Sequence, residues 1–596
     1  MREFEHFPNL VTMFFTRATE KGEAPFLWHK SGGAWRARSW TETAQEVAAL
    51  AAALRANGIR RGDTVMLVSE NRPEFCIADL AIMAAGGVTV PTYTTNTARD
   101  HQHILDDSAA KAVIVSTAKL ARTLMPAVLR SQASLVISME PLRTMQDGQV
   151  HVVEWDGLIA SHPGDVAACA AQAEQLHRDD LACLIYTSGT GGAPRGVMQH
   201  HGAILHNVDG GIDIIAEDFG WDDEVFLSFL PLSHAYEHSG GQFLPIGLGA
   251  EIYYAEGLEK LASNIEEVRP TIMVVVPRLF EVLRTRMLKT VEKQGKFPAF
   301  LLRQALRIGD KSYSNRLPLW DKPMQLLVNR TIRLKIQQRF GGRIKALVSG
   351  GAPLNPDVGI FFHALGLTLL QGYGQTEAGP VISCNRPKAG LKMDMVGPPL
   401  KNTEVRIAED GEILVRGELV MKGYWRNERE TDRVLCDDWL HTGDIGIIDE
   451  KGRIRITDRK KDLIINDKGD NVAPQKVEGM LTLQPEIGQA MVSGDKRPYL
   501  VGLIVPDPEW AREWAQAHDR PSDHAALKSD PDFQTAVRAA VNEVNKDLSV
   551  TEKVRRFILA DEPFSIENEE MTPSMKIRRH VIRARYGDRM NALYKG

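Results

Sequence analysis

Short apolar runs alternate with longer helical patterns through the N-terminal third of the chain. Runs such as Thr64–Val68 and Ala112–Val115 are typical of buried strands, because a strand covered on both faces needs no polar side. Between such runs lies an Ala- and Leu-rich stretch that starts at Ser39, with capping-box spacing, and ends at Asn57 and a glycine. This alternation predicts βαβ units and a mostly parallel sheet.

The same pattern continues further along the chain and then changes. Strands are predicted at residues 87–90, 181–186, 224–230, 272–276, 344–348 and 367–370, and helices at residues 73–85, around 103–105 and along 279–340. After about residue 397, short strands separated by glycine turns follow one another at residues 405–407, 412–416, 445–448 and 454–456. This succession of short strands and glycine turns predicts a β-rich subdomain.

A run of five charged residues at 458–462 precedes a last segment that again mixes strands and helices. That segment is long enough for one further small domain. We therefore predict an N-terminal domain of residues 1–460 and a C-terminal domain of residues 461–596. The predicted fold class is α/β, with parallel sheets and a β-rich subdomain in a large N-terminal part and a small α+β domain at the C-terminal end.

Composition narrows the class of protein without identifying it. The 596 residues are 43% hydrophobic and 25% charged, with a net charge of −5, which is ordinary for a globular enzyme and argues against a nucleic-acid partner. The first residues carry charges of both signs and no apolar core of a secretory signal, and no apolar run is long enough to span a membrane. The five cysteines have no metal-like spacing. A cytoplasmic protein with reduced thiols is expected.

A glycine-rich loop with the sequence Tyr-Thr-Ser-Gly-Thr-Gly-Gly-Ala-Pro-Arg-Gly follows a predicted strand at residues 186–196. Its hydroxyls and free backbone N–H groups can cradle phosphate oxygens, and Arg195 adds a cation. It is no Walker A loop, because no Gly-Lys-Ser/Thr closes it. Alone, such a loop is more simply a flexible surface segment.

Three later segments each carry a chemically useful side chain. In the first, the aromatic ring of Tyr373 can stack on a base, and the Thr376 hydroxyl and Glu377 carboxylate can meet a phosphate and Mg²⁺. In the second, Asp444 lies at a predicted turn, where a carboxylate can accept both ribose hydroxyls. The third is a lone lysine, Lys576, on a turn near the C-terminal end. Four such segments in this order are hard to explain as turns alone.

Together these motifs resemble those of the adenylate-forming superfamily, which contains acyl-CoA synthetases, luciferases and the adenylation domains of peptide synthetases. The superfamily's Gly-Tyr-Gly-x-Thr-Glu and Thr-Gly-Asp motifs are present unchanged, and residues 458–462 resemble its interdomain hinge. The glycine-rich loop departs from the family pattern at Gly191, which replaces threonine, and at Arg195, which replaces lysine. The loop thus loses one hydroxyl and keeps its charge in a different shape.

Within the superfamily, the chain is most similar to the long-chain fatty acyl-CoA synthetases. The resemblance covers most of the chain, from about residue 40 to 579. The matching segments are residues 231–237, 277–281, 339–343, 349–354 and 572–576. The resemblance implies that a carboxylic acid attacks ATP to form an acyl-adenylate, and that CoA then takes the acyl group and releases AMP. It also implies a mobile C-terminal domain that rotates about the hinge between these two steps.

The resemblance further implies a role for individual residues. Lys576 would bridge the carboxylate and the α-phosphate, Thr376 would contact the α-phosphate, and His234 would line the acyl and CoA end of the site. Mg²⁺ would lie near Glu377 and Thr187. The residues implied in nucleotide binding are Thr187, Ser188, Gly189, Thr190, Gly191, Gly192, Arg195, Gly350, Gly351, Ala352, Gln371, Gly372, Tyr373, Gly374, Asp444, Arg459 and Lys461.

The leading prediction is a long-chain fatty acid:CoA ligase with ATP and CoA as co-substrates and Mg²⁺ as cofactor. The alternatives are a ligase for an aryl, branched or terpenoid acid, or a fatty acyl-AMP ligase that loads a carrier protein. A non-catalytic nucleotide-binding scaffold is a further alternative, but intact Glu377, Asp444 and Lys576 argue against it. The basic residues of the helical stretch at residues 303–339 could contact a membrane surface, although a solvated face is the simpler interpretation.

Overall fold

A computed structural model describes residues 4–142, 150–187, 194–314, 316–468, 470–572 and 577–595. Its strands, numbered in chain order, are β1 (Pro25–Ser31), β2 (Ala34–Ser39), β3 (Thr64–Val68), β4 (Val88–Thr92), β5 (Ala112–Val115), β6 (Leu135–Ser138), β7 (His151–Glu154), β8 (Leu181–Thr187), β9 (Arg195–His200), β10 (Val225–Ser228), β11 (Glu251–Tyr254), β12 (Ile272–Val275), β13 (Ala346–Ser349), β14 (Leu369–Gly374), β15 (Val381–Cys384), β16 (Glu404–Ile407), β17 (Glu412–Arg416), β18 (Leu435–Cys436), β19 (Trp439–Ile448), β20 (Ile454–Arg459), β21 (Ile464–Ile465), β22 (Asn471–Val472), β23 (Ile487–Ser493), β24 (Leu500–Pro506) and β25 (Val554–Leu559).

The α-helices cover the faces of the sheets. They are α1 (Leu10–Lys21), α2 (Trp40–Ala56), α3 (Pro73–Ala84), α4 (Ala98–Ser108), α5 (Ala118–Val128), α6 (Trp155–Ser161), α7 (Val166–Ala173), α8 (His201–Asp218), α9 (Ala235–Glu237), α10 (Leu244–Leu248), α11 (Leu261–Val268), α12 (Pro277–Lys293), α13 (Lys296–Tyr313), α14 (Lys322–Val328), α15 (Leu334–Arg339), α16 (Pro356–Ala364), α17 (Glu428–Val434), α18 (Pro474–Leu481), α19 (Pro508–Ala517), α20 (His524–Ser529), α21 (Pro531–Asp547) and α22 (Arg579–Ala592). Short 3₁₀ or π-helical turns lie at Leu258–Lys260, Leu319–Asp321, Thr376–Ala378, Pro387–Ala389, His238–Phe243 and Asn329–Arg333.

The first sheet has seven strands in the order β7-β6-β5-β3-β4-β8-β9. All neighbours are parallel except the hairpin β8–β9. Alternate residues of β3 pack into two different hydrophobic cores. Val65 and Leu67 pack with α2 and α3, whereas Met66 and Val68 pack with α4 and α5. Burial on both faces explains the uniformly apolar strands and confirms the predicted βαβ arrangement. The predicted capping box also forms, between Ser39 and Glu42 at the start of α2.

The second sheet has eight strands in the order β15-β14-β13-β12-β10-β11-β1-β2. Its two outermost strands on one side come from the start of the chain, so that Leu27 of β1 pairs with Ile252 of β11. One face packs against α13 and α16 in a separate apolar core. The stretch predicted to be long and helical at residues 279–340 forms α12 to α15.

The third sheet is antiparallel and forms the predicted β-rich subdomain, in the order β16-β17-β19-β18 with β20 beside β19. Two predictions at the candidate motifs are wrong in detail. Asp444 lies inside the long strand β19 and not at a turn, although Gly443 before it has a positive φ of 73°. Residues 371–374 do not follow a short strand but continue it as part of β14.

In its described residues, the C-terminal part combines the three-stranded sheet β23-β24-β25 with five helices, in agreement with the predicted α+β class. Helices α18 and α21 pack on one face of this sheet and α22 packs on the other. Within the described ranges, no helix combines the length and the apolar character that crossing a lipid bilayer requires.

Candidate active site

The glycine-rich loop joins the ends of β8 and β9, whose terminal residues Thr187 and Arg195 are paired across the hairpin. Ser188, Gly189, Thr190, Gly191 and Gly192 lie outside the described residues, as does Lys576. Both flanking residues, Thr187 and Arg195, are half-buried. The hairpin therefore brings a hydroxyl and a guanidinium to the same end of the first sheet.

Arg195 is held by two groups from residues 424–430. Its Nη1 donates a hydrogen bond to Oε2 of Glu430 at 2.7 Å. Its guanidinium also lies over the ring of Tyr424, 4.4 Å from the ring centroid. A planar cation suits both contacts, whereas a lysine ammonium would match neither shape as well.

Tyr424 connects this arginine to the carboxylate of Glu377. The Tyr424 hydroxyl donates to Oε1 of Glu377 at 2.7 Å. Burial and the nearby Glu377 charge raise the pKa of Tyr424, so its hydroxyl remains a donor. Arg195, Tyr424 and Glu377 therefore form one chain of contacts, which fixes one oxygen of the carboxylate.

The backbone around Glu377 is fixed by strand β9 and by the loop that contains Met421. Gln199 of β9 donates from Nε2 to the carbonyl of Thr376 at 2.7 Å, and the Glu377 carbonyl accepts from the backbone of Met421 at 2.9 Å. Gly374 has no room for a side chain, because an added Cβ would lie 1.9 Å from the carbonyl oxygen of Pro380. Thr376 and Glu377 thus have half-buried side chains on a rigid turn.

A second group joins Tyr373, Asp444 and Arg459. The Tyr373 hydroxyl donates to Oδ2 of Asp444 at 2.8 Å, and Nε of Arg459 donates to Oδ1 at 3.1 Å. Asp444 and Tyr373 are both buried, and burial together with the Asp444 charge raises the pKa of Tyr373. Strand β20 places Arg459 directly opposite Asp444. The buried carboxylate is thereby neutralised by a cation from the end of the β-rich subdomain.

The turn after β13 carries Gly350, Gly351 and Ala352. Its start is in register with β14, where Ser349 pairs with Gln371. Gly350 packs on Tyr236, since an added Cβ would lie 2.7 Å from that ring. Gly351 has a φ of +80°, which favours glycine, and is exposed like Ala352.

His234 and Tyr236 bring the segment at residues 231–237 to the same turn. The Tyr236 hydroxyl donates to the carbonyl of Val348 at 2.8 Å. His234 caps α9 and accepts from the backbone N–H of Tyr236 through Nδ1 at 3.2 Å. Because this contact requires Nδ1 without a proton, it favours the tautomer that is protonated at Nε2.

A buried carboxyl group, not predicted from the sequence, follows these residues. Glu237 is 1% exposed and accepts a hydrogen bond from Ser228 at 2.6 Å, while its other oxygen has no hydrogen-bond partner among the described residues. Burial raises the pKa of Glu237 to about 8. Next to it, His238 and Gln242 both contact Oδ2 of the buried Asp79, at 2.8 and 2.7 Å.

The hinge-like segment lies beside the first group. Partial burial and the charges of Arg433 and Arg195 lower the pKa of Lys461, and the charge of Glu430 opposes them. Lys460 donates to Asp410 at 2.6 Å and to Glu412 at 3.0 Å. Burial raises the pKa of Asp458 to about 6.

Comparison with known proteins shows which family the chain belongs to. The AMP-binding enzyme family matches residues 14–425, and the AMP-binding enzyme C-terminal domain matches residues 461–596. This chain belongs to the AMP-binding enzyme family. It is 32% identical to the long-chain-fatty-acid–CoA ligase FadD15 of Mycobacterium tuberculosis, over 98% of this chain and 97% of the relative. It is 31% identical to the peroxisomal long chain acyl-CoA synthetase 7 of Arabidopsis thaliana, over 95% of this chain and 83% of that one.

Solved structures share the fold of this AMP-binding enzyme at lower sequence identity. The adenylation domain of a carboxylate reductase from Mycobacterium chelonae aligns with a TM-score of 0.74 and 21% identity, over 99% of this chain and 92% of the other. The anthranilate CoA ligase AuaEII, in complex with anthranoyl-AMP, aligns with a TM-score of 0.70 and 19% identity, over 98% of both chains. These similarities support the fold of the AMP-binding enzyme.

The described part of this AMP-binding enzyme brings most predicted site residues into three adjoining groups. The first contains Thr187, Arg195, Thr376, Glu377 and Lys461; the second contains Tyr373, Asp444 and Arg459; the third contains His234, Gly350, Gly351, Ala352 and Gln371. Sequence reasoning missed Tyr424, Glu430 and Glu237. No motif marks the first two. Glu237 lies inside the matching segment at residues 231–237, but nothing in the sequence indicates that its carboxyl is buried.

The first group suits a magnesium ion that is also bound by substrate. Among the residues that the structure describes, no three His, Cys, Asp or Glu side chains cluster closely enough to hold a metal. Glu377 and the Thr187 hydroxyl are oxygen ligands of the type that Mg²⁺ prefers, and Mg²⁺ commonly takes one or two carboxylates plus substrate phosphates. The donor set therefore fits Mg²⁺ arriving with a nucleotide.

Proposed function

We propose that this AMP-binding enzyme is a cytoplasmic long-chain fatty acid:CoA ligase. The observation that carries the proposal is the similarity to the mycobacterial ligase over nearly the whole of both chains, because it includes both the AMP-binding part and the C-terminal domain. The reaction uses ATP to turn the acid into an acyl-adenylate, and then transfers the acyl group to CoA with release of AMP.

In the first half-reaction, a carboxylate oxygen forms a bond to the α-phosphorus of ATP, and the bond to the pyrophosphate oxygen breaks. Two anions must meet, so charge neutralisation is the main catalytic contribution. In our proposal, Lys576 bridges the carboxylate and the α-phosphate, and Thr376 donates to an α-phosphate oxygen. The short helical turn at residues 376–378 supports this role because Gln199 holds the backbone that carries the Thr376 side chain.

Glu377 and Thr187 would hold Mg²⁺ together with phosphate oxygens, and the ion would supply positive charge against the leaving pyrophosphate. The hydrogen bond from Tyr424 leaves one Glu377 oxygen for this purpose. Arg195 and the loop at residues 188–192 would bind the outer phosphates. We propose that Arg195 acts from its position between Glu430 and Tyr424 and not as an extended side chain.

The second and third groups would bind the nucleoside. Asp444 would accept the ribose hydroxyls, with Arg459 beside it and Tyr373 against adenine. The backbone of Gly350, Gly351 and Ala352, with Gln371 and the glycines at 372 and 374, would line the adenine. The Asp444 oxygens now accept from Tyr373 and Arg459, so the ribose would replace or share these donors.

In the second half-reaction, the CoA thiol releases its proton to solvent and its sulfur bonds to the acyl carbon, while the bond between that carbon and the phosphate oxygen breaks and AMP leaves. We propose that the C-terminal domain of residues 461–596 rotates about the hinge to open a path for the thiol, with Lys461 near the pivot. His234 would form a wall at the acyl end. Its Nδ1 is engaged with the backbone, which argues for positioning over proton transfer.

Two measurements test the proposed function. Long-chain acids should elicit pyrophosphate release from ATP, and CoA should then yield AMP and an acyl thioester. Release with aryl, branched or terpenoid acids alone would favour the other ligases, and an acyl-AMP that CoA does not consume would favour the carrier-protein alternative. Absence of any adenylation would favour the scaffold.

The role of Lys576 can be tested separately. The variant Lys576→Ala should abolish adenylation and retain thioester formation from supplied acyl-AMP. A matched control is Lys546→Ala, an exposed lysine of α21 paired only with its neighbour Glu543 in the described structure. Equal loss of both half-reactions in Lys576→Ala would contradict the assigned role.

A further inference from the structure

Exposed apolar side chains are concentrated in one part of the protein, formed by α13 to α15 and the turn between α13 and α14. Among the described residues, thirteen large hydrophobic side chains are exposed, and seven of them lie between residues 297 and 334. They are Phe297, Phe300, Leu319, Trp320, Leu326, Leu327 and Leu334. Scattered exposed apolar residues are normal, but such a concentration in one segment indicates a binding surface.

These side chains are not left over from an incomplete core. The same helices bury a different set of residues against the second sheet, including Leu302, Ile308, Val328 and Ile336. Helix α13 shows this separation within two turns, since Phe297 and Phe300 are exposed while Leu301 and Leu302 are buried. The segment therefore has an apolar face toward the core and further apolar side chains toward solvent. We call residues 296–339 the helical surface.

The helical surface is also strongly basic. Residues 296–339 contain ten Lys or Arg against two Asp, a net charge of +8, although the whole chain has −5 and the remaining residues therefore sum to −13. Asp321 is buried and accepts from Arg307 at 3.0 Å and from Lys311 at 2.7 Å. The exposed basic residues are Lys296, Arg303, Arg307, Arg316, Lys322, Arg330, Lys335 and Arg339.

We propose that the helical surface docks on an anionic lipid bilayer. Apolar side chains that project among basic ones suit the boundary between lipid headgroups and acyl chains. A second copy of this surface is disfavoured, because two regions of +8 would face each other. Docking would bring the enzyme to a long-chain acid that partitions into membranes, and this purpose rests on the proposed function. The docking itself does not require catalysis.

The charge and the apolar residues predict separate effects. A basic residue near an anionic surface contributes about 1 kcal/mol, which is about a fivefold change in partitioning. Headgroup attraction also weakens within a Debye length, about 8 Å at physiological salt and about 3 Å at 1 M. Binding should therefore fall with added salt, and apolar insertion should account for what remains.

The test is co-sedimentation of the full chain with vesicles of phosphatidylcholine alone or mixed with phosphatidylglycerol. We expect binding to the mixed vesicles, and loss of about 25-fold in Lys322→Gln/Arg330→Gln, counting about fivefold for each charge removed. Leu319→Ser/Trp320→Ser should weaken binding by at least tenfold, because these side chains are 73% and 80% exposed. The matched control is Leu258→Ser, whose side chain is 71% exposed outside this surface.

Equal binding of all variants, or no preference for phosphatidylglycerol, would overturn the proposal. Pyrophosphate release from a detergent-dispersed acid is measured alongside for each variant and should not change. If vesicle binding fails while release persists, the docking surface is wrong and the ligase stands. If the wild type binds vesicles but no acid elicits release, the proposed function is wrong and the docking surface stands.

Discussion

The hydroxyl of Tyr424 should set how strongly the enzyme binds magnesium. The variant Tyr424→Phe removes this hydroxyl and keeps the ring on which the Arg195 guanidinium lies. The only group lost is the donor to Oε1 of Glu377, at 2.7 Å. Without it, the Glu377 carboxylate can rotate away from the orientation in which we propose that its other oxygen binds Mg²⁺.

The magnitude follows from the chemistry of this hydrogen bond. A bond to a charged acceptor contributes about 1.5–3 kcal/mol, or about 10–150-fold in an equilibrium constant. Tyr424 is buried but Glu377 is only half-buried, so water can replace part of the lost contact. We therefore expect the lower end of the range, a rise of about tenfold in the Mg²⁺ concentration that gives half-maximal adenylation.

The assay is acid-dependent pyrophosphate release at saturating ATP and acid while Mg²⁺ is varied. The maximal rate should be restored when Mg²⁺ is raised, because the variant loses orientation and keeps its carboxylate. The control is Tyr253→Phe, which removes a tyrosine hydroxyl that contacts Glu251 at 3.4 Å in the second sheet. A Tyr424→Phe half-saturation within twofold of the wild type would refute the reasoning, as would an equal change in the control.

Three further predictions concern charge. Asp444→Asn should raise the KM for ATP by at least tenfold, because it removes the negative charge and one of the two acceptor oxygens that we propose for the ribose, and leaves the half-buried Arg459 without a carboxylate partner; a steady-state titration with ATP checks this. Arg195→Lys should weaken ATP binding in the same titration and lower thermal stability slightly, because lysine loses the contact over Tyr424; unchanged values for both would contradict the contacts described. Glu237→Gln should flatten the pH dependence of stability. The wild-type carboxyl has a pKa of about 8 when folded and about 4.5 when unfolded, so its stabilising contribution is full below pH 4.5 and lost as pH rises toward 8. Melting temperatures of both proteins between pH 5 and 9 test this, and parallel profiles would refute it.

The elements that sequence patterns predicted well are those whose residues are buried on both faces. Strands β3 and β5 and helix α2 have such patterns or explicit caps, so local signals fix their ends. Strands β1 and β2 were not predicted, because their burial alternates irregularly and depends on partners far away in the chain. The extent of β19 was missed for a related reason, since Gly443 looks like a turn and is instead an irregularity within a paired strand.

The candidate site divides in the same way. Glycine-rich and Thr-Glu motifs are local, so Thr376, Glu377 and Asp444 could be proposed from spacing and resemblance. Tyr424 could not, because its role comes from a contact with a residue 47 positions away. Likewise, nothing in the sequence around Glu237 signals that its carboxyl is enclosed, since enclosure depends on how the sheets and helices pack around it.

The pairing of β1 with β11 has a consequence for how this protein is made. Trp28 of β1 donates to Glu251 of β11, 223 residues later in the chain. At about 5–20 residues per second, a ribosome needs about 10–45 s to supply that partner strand. During this interval the hairpin β1–β2 has an unpaired edge, and α1 cannot yet make the bond from Arg17 to Gly247. Slow elongation between residues 40 and 250 should therefore increase aggregation of the nascent chain, whereas chaperones that shield the first 40 residues should reduce it.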